Sequence, residues 1–480
     1  MSLFKQKLPQ IRLATAVAAA ALLSGCAVGP DYLRPSTWLP DYFRETPPAA
    51  VAEARSEAPI NPTWWTLFGD STLDNLVQQA IDANQDLQAA IARLEAAEAA
   101  ARESGADYLP RVDLAANSTN SRNSGETFNG QKSGGPTTYG NRRAALSLSY
   151  EIDLWGRIRR NNEAARADAL ASRFGRDSVQ LTLVGQVANE YLALRSLDAQ
   201  LEVTQDSLTS REKTLKIVNA RLDAGAASSL EQAQAESAYA AAQAQWNQLR
   251  RQRAISESQI GLLTGQPGLK LAAANLDKLP VPPVPPAGLP SSLLEARPDV
   301  RQAEEKLIAA NARIGVAKAA YFPTISLTGL YGSESQALSN LFTNSASIWS
   351  AALGLSMPVF DAGRTSARVD QATASQKENL ANYRKTLQSA FKEVNDALVN
   401  LREYADEEAA NASQVKAAQR ALTLSQARYE AGYSGFMDVL DAQRTANSAQ
   451  LQYLASRKNR LGAAVDLFKA LGGGWQVAAK

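Results

Sequence analysis

Residues 146–157 read LSLSYEIDLWGR and decide the fold, because an alternating stretch ends there at a glycine that precedes a long helical pattern. The same transition returns 207 residues later, where residues 353–364 read LGLSMPVFDAGR. Apolar residues occupy every second position in both alternating parts, which is typical of a β-strand. The recurrence predicts a duplicated protomer in which each copy contains a strand followed directly by a long helix.

The offset of 207 residues holds without a gap at two further places. Residues 221–225 (RLDAG) return as residues 428–432 (RYEAG), and Gly265 returns as Gly472. Solenoid proteins repeat every 20–50 residues or so, which is far shorter. The pattern therefore predicts one large unit that has been duplicated.

The first 25 residues have the pattern of a lipoprotein signal peptide, with three basic residues before an apolar run over residues 13–23. That run is too short for a permanent membrane anchor. It ends in LSGC at residues 23–26, a lipobox, and Cys26 is the only cysteine. We expect cleavage before Cys26, a covalent lipid on its sulfur and, because Ala27 is not a retention aspartate, location in the outer membrane. An ordinary cleaved signal with a chance cysteine is the alternative.

The composition excludes several kinds of chemistry. The chain has no histidine, which excludes a Ser-His-Asp triad and a histidine-ligated metal site. A single lipidated cysteine leaves no disulfide. Removing Lys5, Lys7 and Arg12 with the signal peptide leaves 47 basic and 48 acidic residues, so nucleic acid is not an expected partner. We therefore expect no catalytic residue, no metal site, no cofactor other than the lipid, and no enzyme activity.

Each copy contains two segments with strand-like alternation around a polar stretch, within residues 111–154 and residues 324–359. Their length of about ten residues suits a tilted strand that crosses a bilayer. A soluble hairpin would give a similar pattern, but two hairpins at equivalent positions in a lipoprotein favour the membrane. The polar stretches, at about 118–142 and 333–346, are expected to be loops.

Long helices are predicted at 156–222 and 363–431, where the chain lacks proline and is rich in helix-forming residues. About 67 residues at ~1.5 Å each give roughly 100 Å, far more than a globular helix. Heptad spacing predicts supercoiled packing in the first of them. The residues at this spacing are Leu194, Leu201, Leu208, Leu215 and Leu222. The second copy keeps the spacing partly, with Glu408 interrupting it.

The predicted organisation follows from these patterns. It comprises a signal peptide (1–25), a lipid-anchored extended segment (26–72), a first repeat (73–278), a stiff proline-rich connector (279–292), a second repeat (293–472) and a C-terminal tail (473–480). Each repeat begins with a helix, which in the first copy is expected over 73–108. Return helices are expected at 226–264 and 434–471, after turns at Gly225 and Gly432.

Four strands are too few to close a membrane barrel, since the smallest known have about eight. Open strand edges are not tolerated in lipid, so the chain is expected to oligomerise. The expected fold class is mainly α with a β-barrel contribution: a trimer whose twelve strands form a barrel that continues as a periplasmic α-helical tube. Aromatic residues at the strand–helix junctions suit a membrane interface, with ordinary core aromatics as the alternative. They are Tyr108, Trp155, Phe322 and Phe360.

Several segments resemble the TolC-like superfamily of outer-membrane efflux channels, in its lipoprotein branch (NodT/OprM type). They are the lipobox, residues 28–32 (VGPDY), 64–65 (WW) with Phe68 and Asp70, Asn84 with 86–87 (DL), 293–301 (LLEARPDVR), 309–315 (AANARIG) and 321–323 (YFP). The resemblance implies a passive homotrimeric duct, lipid-anchored in the outer membrane and extending into the periplasm. It also implies docking through a periplasmic adaptor (membrane fusion protein) onto an inner-membrane transporter, usually of the RND type, for export of drugs or other small toxic compounds.

The resemblance further implies a periplasmic gate at the helix turns. Asp438 and Asp441 are three residues apart, and Met437 precedes Asp441 by four, so they share much of one helix face. Two solvated helix acids would be the ordinary interpretation. By resemblance, the gate consists of two acidic rings, or of one acidic ring beside a ring of Met437.

Tyr429 is the residue that the resemblance assigns to holding the closed state. Its partner would be an acid on the first-copy turn, where Glu231 stands although family members often carry aspartate. Arg221 and Arg428 belong to the same two turns.

Two other interpretations stay open on the sequence. One is the outer duct of a type I secretion or metal-export system, although three methionines and no histidine give no metal-relay signature. The other is a periplasmic coiled-coil lipoprotein without a pore.

Overall fold

The computed structural model describes residues 27–36, 40, 43, 62–124, 126, 138–283, 294 and 296–474. Outside them lie the predicted signal peptide, the lipidation site Cys26 and most of the predicted N-terminal extended segment. The centre of the first polar loop, the middle of the connector and the last six residues also lie outside.

The described chain is built mainly of long helices. Helices α1 to α7 are Ser71–Ala83, Gln85–Ala106, Arg157–Asp223, Ser229–Leu263, Pro298–Ala319, Arg364–Glu430 and Phe436–Ala470. Strands β1 to β4 are Arg111–Arg122, Thr138–Ile152, Thr324–Ser335 and Ser347–Ser356. None of the helices within the described residues combines the length and the apolar character needed to cross a membrane.

The long helices have equal lengths in the two copies. Helices α3 and α6 each contain 67 residues, and the return helices α4 and α7 each contain 35. Their ends lie within three residues of the ranges expected from the sequence. The glycines that interrupt the helical pattern therefore locate the helix ends well.

The expectation of one continuous helix over 73–108 is wrong, because Asn84 divides it into α1 and α2. The Asn84 backbone is extended, with ψ at 128°, and its side-chain oxygen accepts the N–H groups of Asp86 (3.0 Å) and Leu87 (3.1 Å). Its amide nitrogen donates to the Leu263 carbonyl at 3.1 Å. An asparagine that caps the second helix and binds a neighbouring helix outweighs the helix propensity around it.

The four strands form one antiparallel sheet in the order β1-β2-β3-β4. Strand β2 of the first copy pairs with β3 of the second, from Arg142↔Ser335 to Ile152↔Ile325. The predicted polar loop at 118–142 is too long, because β1 and β2 stay paired as far as Arg122↔Thr138. Ladder hydrogen bonds join backbone groups and do not require apolar side chains, so pairing continues beyond the alternating pattern.

The described chain packs as two compact units, and these units do not coincide with the two copies. One contains the described residues up to Pro35, Glu95–Ala171 and Ala303–Asn382, and the other contains the rest. Each unit takes equivalent parts of both copies. The two copies are therefore repeats in the sequence, whereas each compact unit is built from parts of both copies.

The second unit has a core around the short 3-10 helix Trp64–Phe68. Trp64 is 1% exposed and stacks on Phe468 with ring centroids 5.5 Å apart. The buried Tyr191 donates its hydroxyl to Asp70 at 2.5 Å. Burial and this carboxylate raise the pKa of Tyr191 to about 12. Trp64 thus fixes the N-terminal segment to the helices.

Candidate functional site

The two helix turns have the same backbone geometry. Gly225 and Gly432 have φ of 70° and 80°, a region that glycine enters without the steric penalty of a Cβ. The N–H that follows each glycine donates to the carbonyl of Arg221 (2.7 Å) or Arg428 (2.8 Å). Each glycine N–H also donates, to the carbonyl of Leu222 or of Tyr429, and the two bonds at each turn form a Schellman motif. Both arginine residues are exposed.

Tyr429 joins the second turn to the first. Arg221 Nη1 donates to its hydroxyl at 3.0 Å, and the guanidinium carbon lies 5.4 Å from the ring centroid. The Tyr429 ring also lies 5.7 Å from that of Phe436, which is buried with Val218 and Leu440. The two hairpin ends are therefore held together by an apolar cluster and a cation–π contact.

Glu231 supports the backbone of its own helix. Ser228 Oγ accepts the Glu231 N–H at 3.2 Å, and the Glu231 carboxylate accepts the Ser228 N–H at 3.4 Å. This reciprocal pair is a capping box at the start of α4. Within one chain, the structure does not bring Glu231 to Tyr429, whose hydroxyl is bound by Arg221 instead.

Asp438 stands 207 residues after Glu231 but has no comparable partner. The residue at the N-cap of α7 is Gly435, which has no side chain to complete a capping box. Asp438 is exposed, and no described residue donates a hydrogen bond to its carboxylate. The second turn therefore carries a negative charge that no contact within the described chain neutralises.

Met437 and Asp441 line an open groove of about 1170 Å³ between the return helices α4 and α7. Both residues are exposed, Met437 at 48%. Arg211 and Arg444 line the same groove. Burial lowers the pKa of Arg211, and the charge of nearby Arg444 lowers it further. The exposed Asp441 thus shares its groove with two cations.

Sequence reasoning did not identify these two arginines. Arg444 lies three residues after Asp441, so helical spacing could have placed it on the same face. Arg211 lies on α3 and donates to the Ala238 carbonyl at 2.7 Å, and no local sequence signal marks it.

Two of the four predicted interface aromatics lie together in the first unit. Trp155 and Phe322 stack with centroids 4.7 Å apart and planes at 24°. Trp155 Nε1 donates to the Pro323 carbonyl at 2.8 Å. Tyr108 and Phe360 are instead exposed, at 41% and 89%. The strand–helix junction therefore has one fixed aromatic pair and two exposed aromatic rings.

One face of the sheet exposes a row of large apolar side chains. Leu146, Tyr331 and Trp349 stand opposite one another on β2, β3 and β4. They are 46%, 67% and 77% exposed. A contiguous apolar patch of this kind marks a contact with a membrane or another protein.

The described residues contain no group of three or more His, Cys, Asp or Glu that could hold a metal ion. The described chain thus combines long helical hairpins that end in glycine turns with a four-stranded sheet that exposes large apolar side chains.

Comparison with known proteins identifies the family. A family model described as outer membrane efflux protein matches residues 76–266 and 289–473. The toluene efflux pump outer membrane protein TtgF of Pseudomonas putida is 35% identical over 471 residues, 96% of each chain. The chain therefore belongs to the outer membrane efflux protein family. It is an efflux channel of the outer membrane and not an enzyme.

Solved structures agree with this assignment. The outer-membrane channel OprN matches with a TM-score of 0.85 and 28% identity, over 94% of this chain and 100% of that one. The open state of the MtrE outer membrane channel of Neisseria gonorrhoeae gives 0.83 and 31%, over 94% and 99%. The expected family and the mainly α fold class with a β contribution are confirmed.

Proposed function

We propose that three copies of the chain assemble into one channel. The observation that carries this proposal is a sheet with two free edges, β1 and β4, and an exposed apolar face. Lipid cannot satisfy the backbone groups of a free edge, so β4 of one copy pairs with β1 of the next. Three copies then close a twelve-stranded barrel that is wide enough for a lumen.

Cysteine cross-linking tests the assembly in a Cys26→Ser background, which leaves no other cysteine. Strands β1 and β4 lie three inter-strand spacings of about 4.8 Å apart, roughly 14 Å, which is beyond the reach of a disulfide within one chain. A cysteine at Leu114 combined with a series along β4 should therefore give trimers on denaturing gels. The directly paired positions Asp113 and Ser147 are the control and should cross-link within one chain. Monomers alone across the β4 series would contradict the trimer.

The helix turns are proposed as the gate of this channel. In a trimer, Asp438 and Asp441 supply six carboxylates, with Met437 beside them and Arg444 on the next helical turn. Their exposure and the lack of a capping role for Asp438 support this assignment. The relative MtrE has been solved in an open state. Single-channel conductance of the acid variants described in the Discussion tests the gate.

The N-terminus is proposed to carry a lipid on Cys26. The lipobox at residues 23–26 supports this, and the lipid adds a tether to a protein that the barrel already holds in the membrane. Radiolabelled palmitate should therefore label the wild type and not Cys26→Ser, while both form heat-resistant trimers. Loss of trimers in the variant would show that assembly depends on the lipid.

The partners are proposed to be a periplasmic adaptor and an inner-membrane RND-type transporter, with small apolar toxic compounds or drugs as cargo. TtgF is by name part of a toluene efflux pump, which supports this class of cargo. Deleting the gene for this chain should lower the tolerated concentration of toluene, and complementation should restore it. A deletion strain with unchanged tolerance to solvents and drugs would contradict the cargo assignment.

A further inference from the structure

The first described residues after the lipobox, residues 27–34, are named the strap. The Val28 N–H donates to the Trp155 carbonyl at 2.9 Å. A Cβ on Gly156 would lie 2.8 Å from the Ala27 Cα, so the two backbones are in direct contact. The strap therefore begins against the first copy, where β2 passes into α3.

The strap then lies directly on α5 of the second copy. Gly29 has φ of 119°, and a Cβ there would lie 2.5 Å from the Gly315 Cα. A Cβ on Gly315 would lie 2.7 Å from the Val28 carbonyl oxygen. Real Cβ atoms do not approach other atoms so closely, so glycine is required on both sides of this contact.

Buried polar side chains of α5 hold the part of the strap that follows the glycine contact. Asn311, 7% exposed, donates to the Pro30 carbonyl at 2.8 Å. Glu304, also 7% exposed, accepts from Arg34 Nη2 at 2.9 Å. From the first copy, the buried Arg160 of α3 forms an ion pair with Asp31.

These contacts give a role to two segments that the sequence singled out. Residues 28–32 and residues 309–315 each resemble family motifs, and they lie almost 300 positions apart in the sequence. In the fold they bind each other. The strap lies next to the ends of the central strands, because four residues join β2 to α3 and four residues join α5 to β3.

We propose that the strap is a clasp that closes late in folding and fixes the pairing of β2 with β3. It joins the start of α3 to α5, and so constrains the two strands that connect the copies. Its binding surface contains residues of both copies and is incomplete until α5 has been synthesised. The strap, which is made first, can therefore bind only after α5 has been made.

The clasp does not depend on the proposed lipid, because residues 27–34 make every contact that supports it. Palmitate labelling of Cys26 and strap binding are separate measurements, so failure of one leaves the other interpretable.

Gly315→Ala gives the first test, because the clasp predicts that it lowers the melting temperature, whereas an ordinary helix position predicts that it raises it. Alanine normally stabilises a helix relative to glycine. At Gly105 in α2, a Cβ would meet only Asn162 at 3.5 Å, so Gly105→Ala is the matched control and should not lower the melting temperature of the trimer. Gly315→Ala should lower it and should speed chymotrypsin cleavage after the exposed Leu33 at least tenfold. A higher melting temperature with unchanged cleavage would overturn the clasp.

A charge swap gives a second test that does not depend on the glycine contact. Arg34→Glu and Glu304→Arg should each increase strap cleavage and amide hydrogen exchange in β2 and β3. The double variant should recover at least half of both effects, and exchange between β3 and β4 is the internal control. If the single variants release the strap and β2–β3 exchange is unchanged, the strap does not fix the strand pairing and the proposal is wrong.

Discussion

The two helix turns have the same backbone and use their equivalent acids differently. Glu231 closes the first turn through a capping box with Ser228, whereas Asp438 follows a glycine N-cap and stays exposed. The Schellman motif forms in both, so the difference lies in one N-cap side chain. An acid at this position either stabilises its own helix or presents its charge to other groups, and the N-cap residue decides which.

The return helices also differ between the two copies, in the acids that bind an equivalent arginine. Arg253 binds Asp198 at 2.7 Å and Glu257 at 3.3 Å. Its second-copy equivalent Arg460 binds Glu408 at 3.0 Å, and neither first-copy acid recurs 207 residues later. Glu408, which interrupts the heptad spacing, is therefore a buried acid that is paired with an arginine. The two copies share the arginine and differ in their acids.

The largest expected effect is on the exposed acids. Asp438→Ala with Asp441→Ala should raise single-channel conductance and raise the trivalent-cation concentration for half block by roughly tenfold or more, about 1.4 kcal/mol. Glu231→Ala is the control and should leave conductance unchanged, because its carboxylate caps α4. Planar-bilayer recordings measure both. If trivalent cations block the double variant as strongly as they block the wild type, these acids are ordinary solvated residues on the surface.

The next effect converts the second turn into a copy of the first. Gly435→Ser with Asp438→Glu restores the Ser-x-x-Glu pattern of the capping box. The new carboxylate should turn back to its own helix, and cation block should weaken several-fold without loss of charge. Asp438→Glu alone is the control, and cations should block it as strongly as they block the wild type. Equal block in both variants would show that the N-cap does not control this acid.

A smaller effect is expected at the contact between the turns. Tyr429→Phe removes the hydroxyl that accepts from Arg221 and keeps the ring over which the guanidinium lies. Conductance should rise in the same direction as in the acid variants, by less than about fivefold, since one exposed hydrogen bond contributes about 1 kcal/mol or less. Phe436 packing should persist in the variant. A fall in conductance would show that this bond holds the channel open.

The smallest effect concerns the first-copy acids on the return helix. Burial raises the pKa of Glu257, but the Leu271 N–H at 2.6 Å and the Arg253 guanidinium outweigh it, so the pKa is lowered. A lowered folded-state pKa contributes stability above the unfolded value of about 4.3, and this is lost as pH falls through the folded value. Glu257→Gln should therefore flatten the acid side of a stability–pH curve from denaturant unfolding. Parallel curves for variant and wild type would contradict this.

The sequence predicted the elements of this fold better than their contacts. Glycines at the turns and the period-2 strands located the long elements, because local backbone preference decides them. The helix break at Asn84 was missed, although its cap on the N–H groups of Asp86 and Leu87 is local, and only its bond to Leu263 depends on a distant part of the chain. The pairing of β2 with β3 could not be read from alternation, which shows the faces of a strand but not its neighbour.

The candidate site was predicted to a similar extent. Helical spacing placed Met437, Asp438 and Asp441 near one another, since a helix fixes its own geometry. The Ser-x-x-Glu spacing of Ser228 and Glu231 is a local signal of the capping box that was not used. Spacing could not show that Arg221 binds Tyr429, because that contact joins residues 208 positions apart.

Equal helix lengths restrict how such a protein can evolve. Helices α3 and α6 have 67 residues each, and one inserted residue would turn everything beyond it by about 100° around the helix axis. That rotation would move the heptad leucines off their seam and the turn residues off their common side. Insertions or deletions can therefore be accepted mainly in steps of about seven residues, the repeat that returns a side chain to the seam. A step in one copy must be matched in the other, so the genetic change that lengthens this protein has to occur twice.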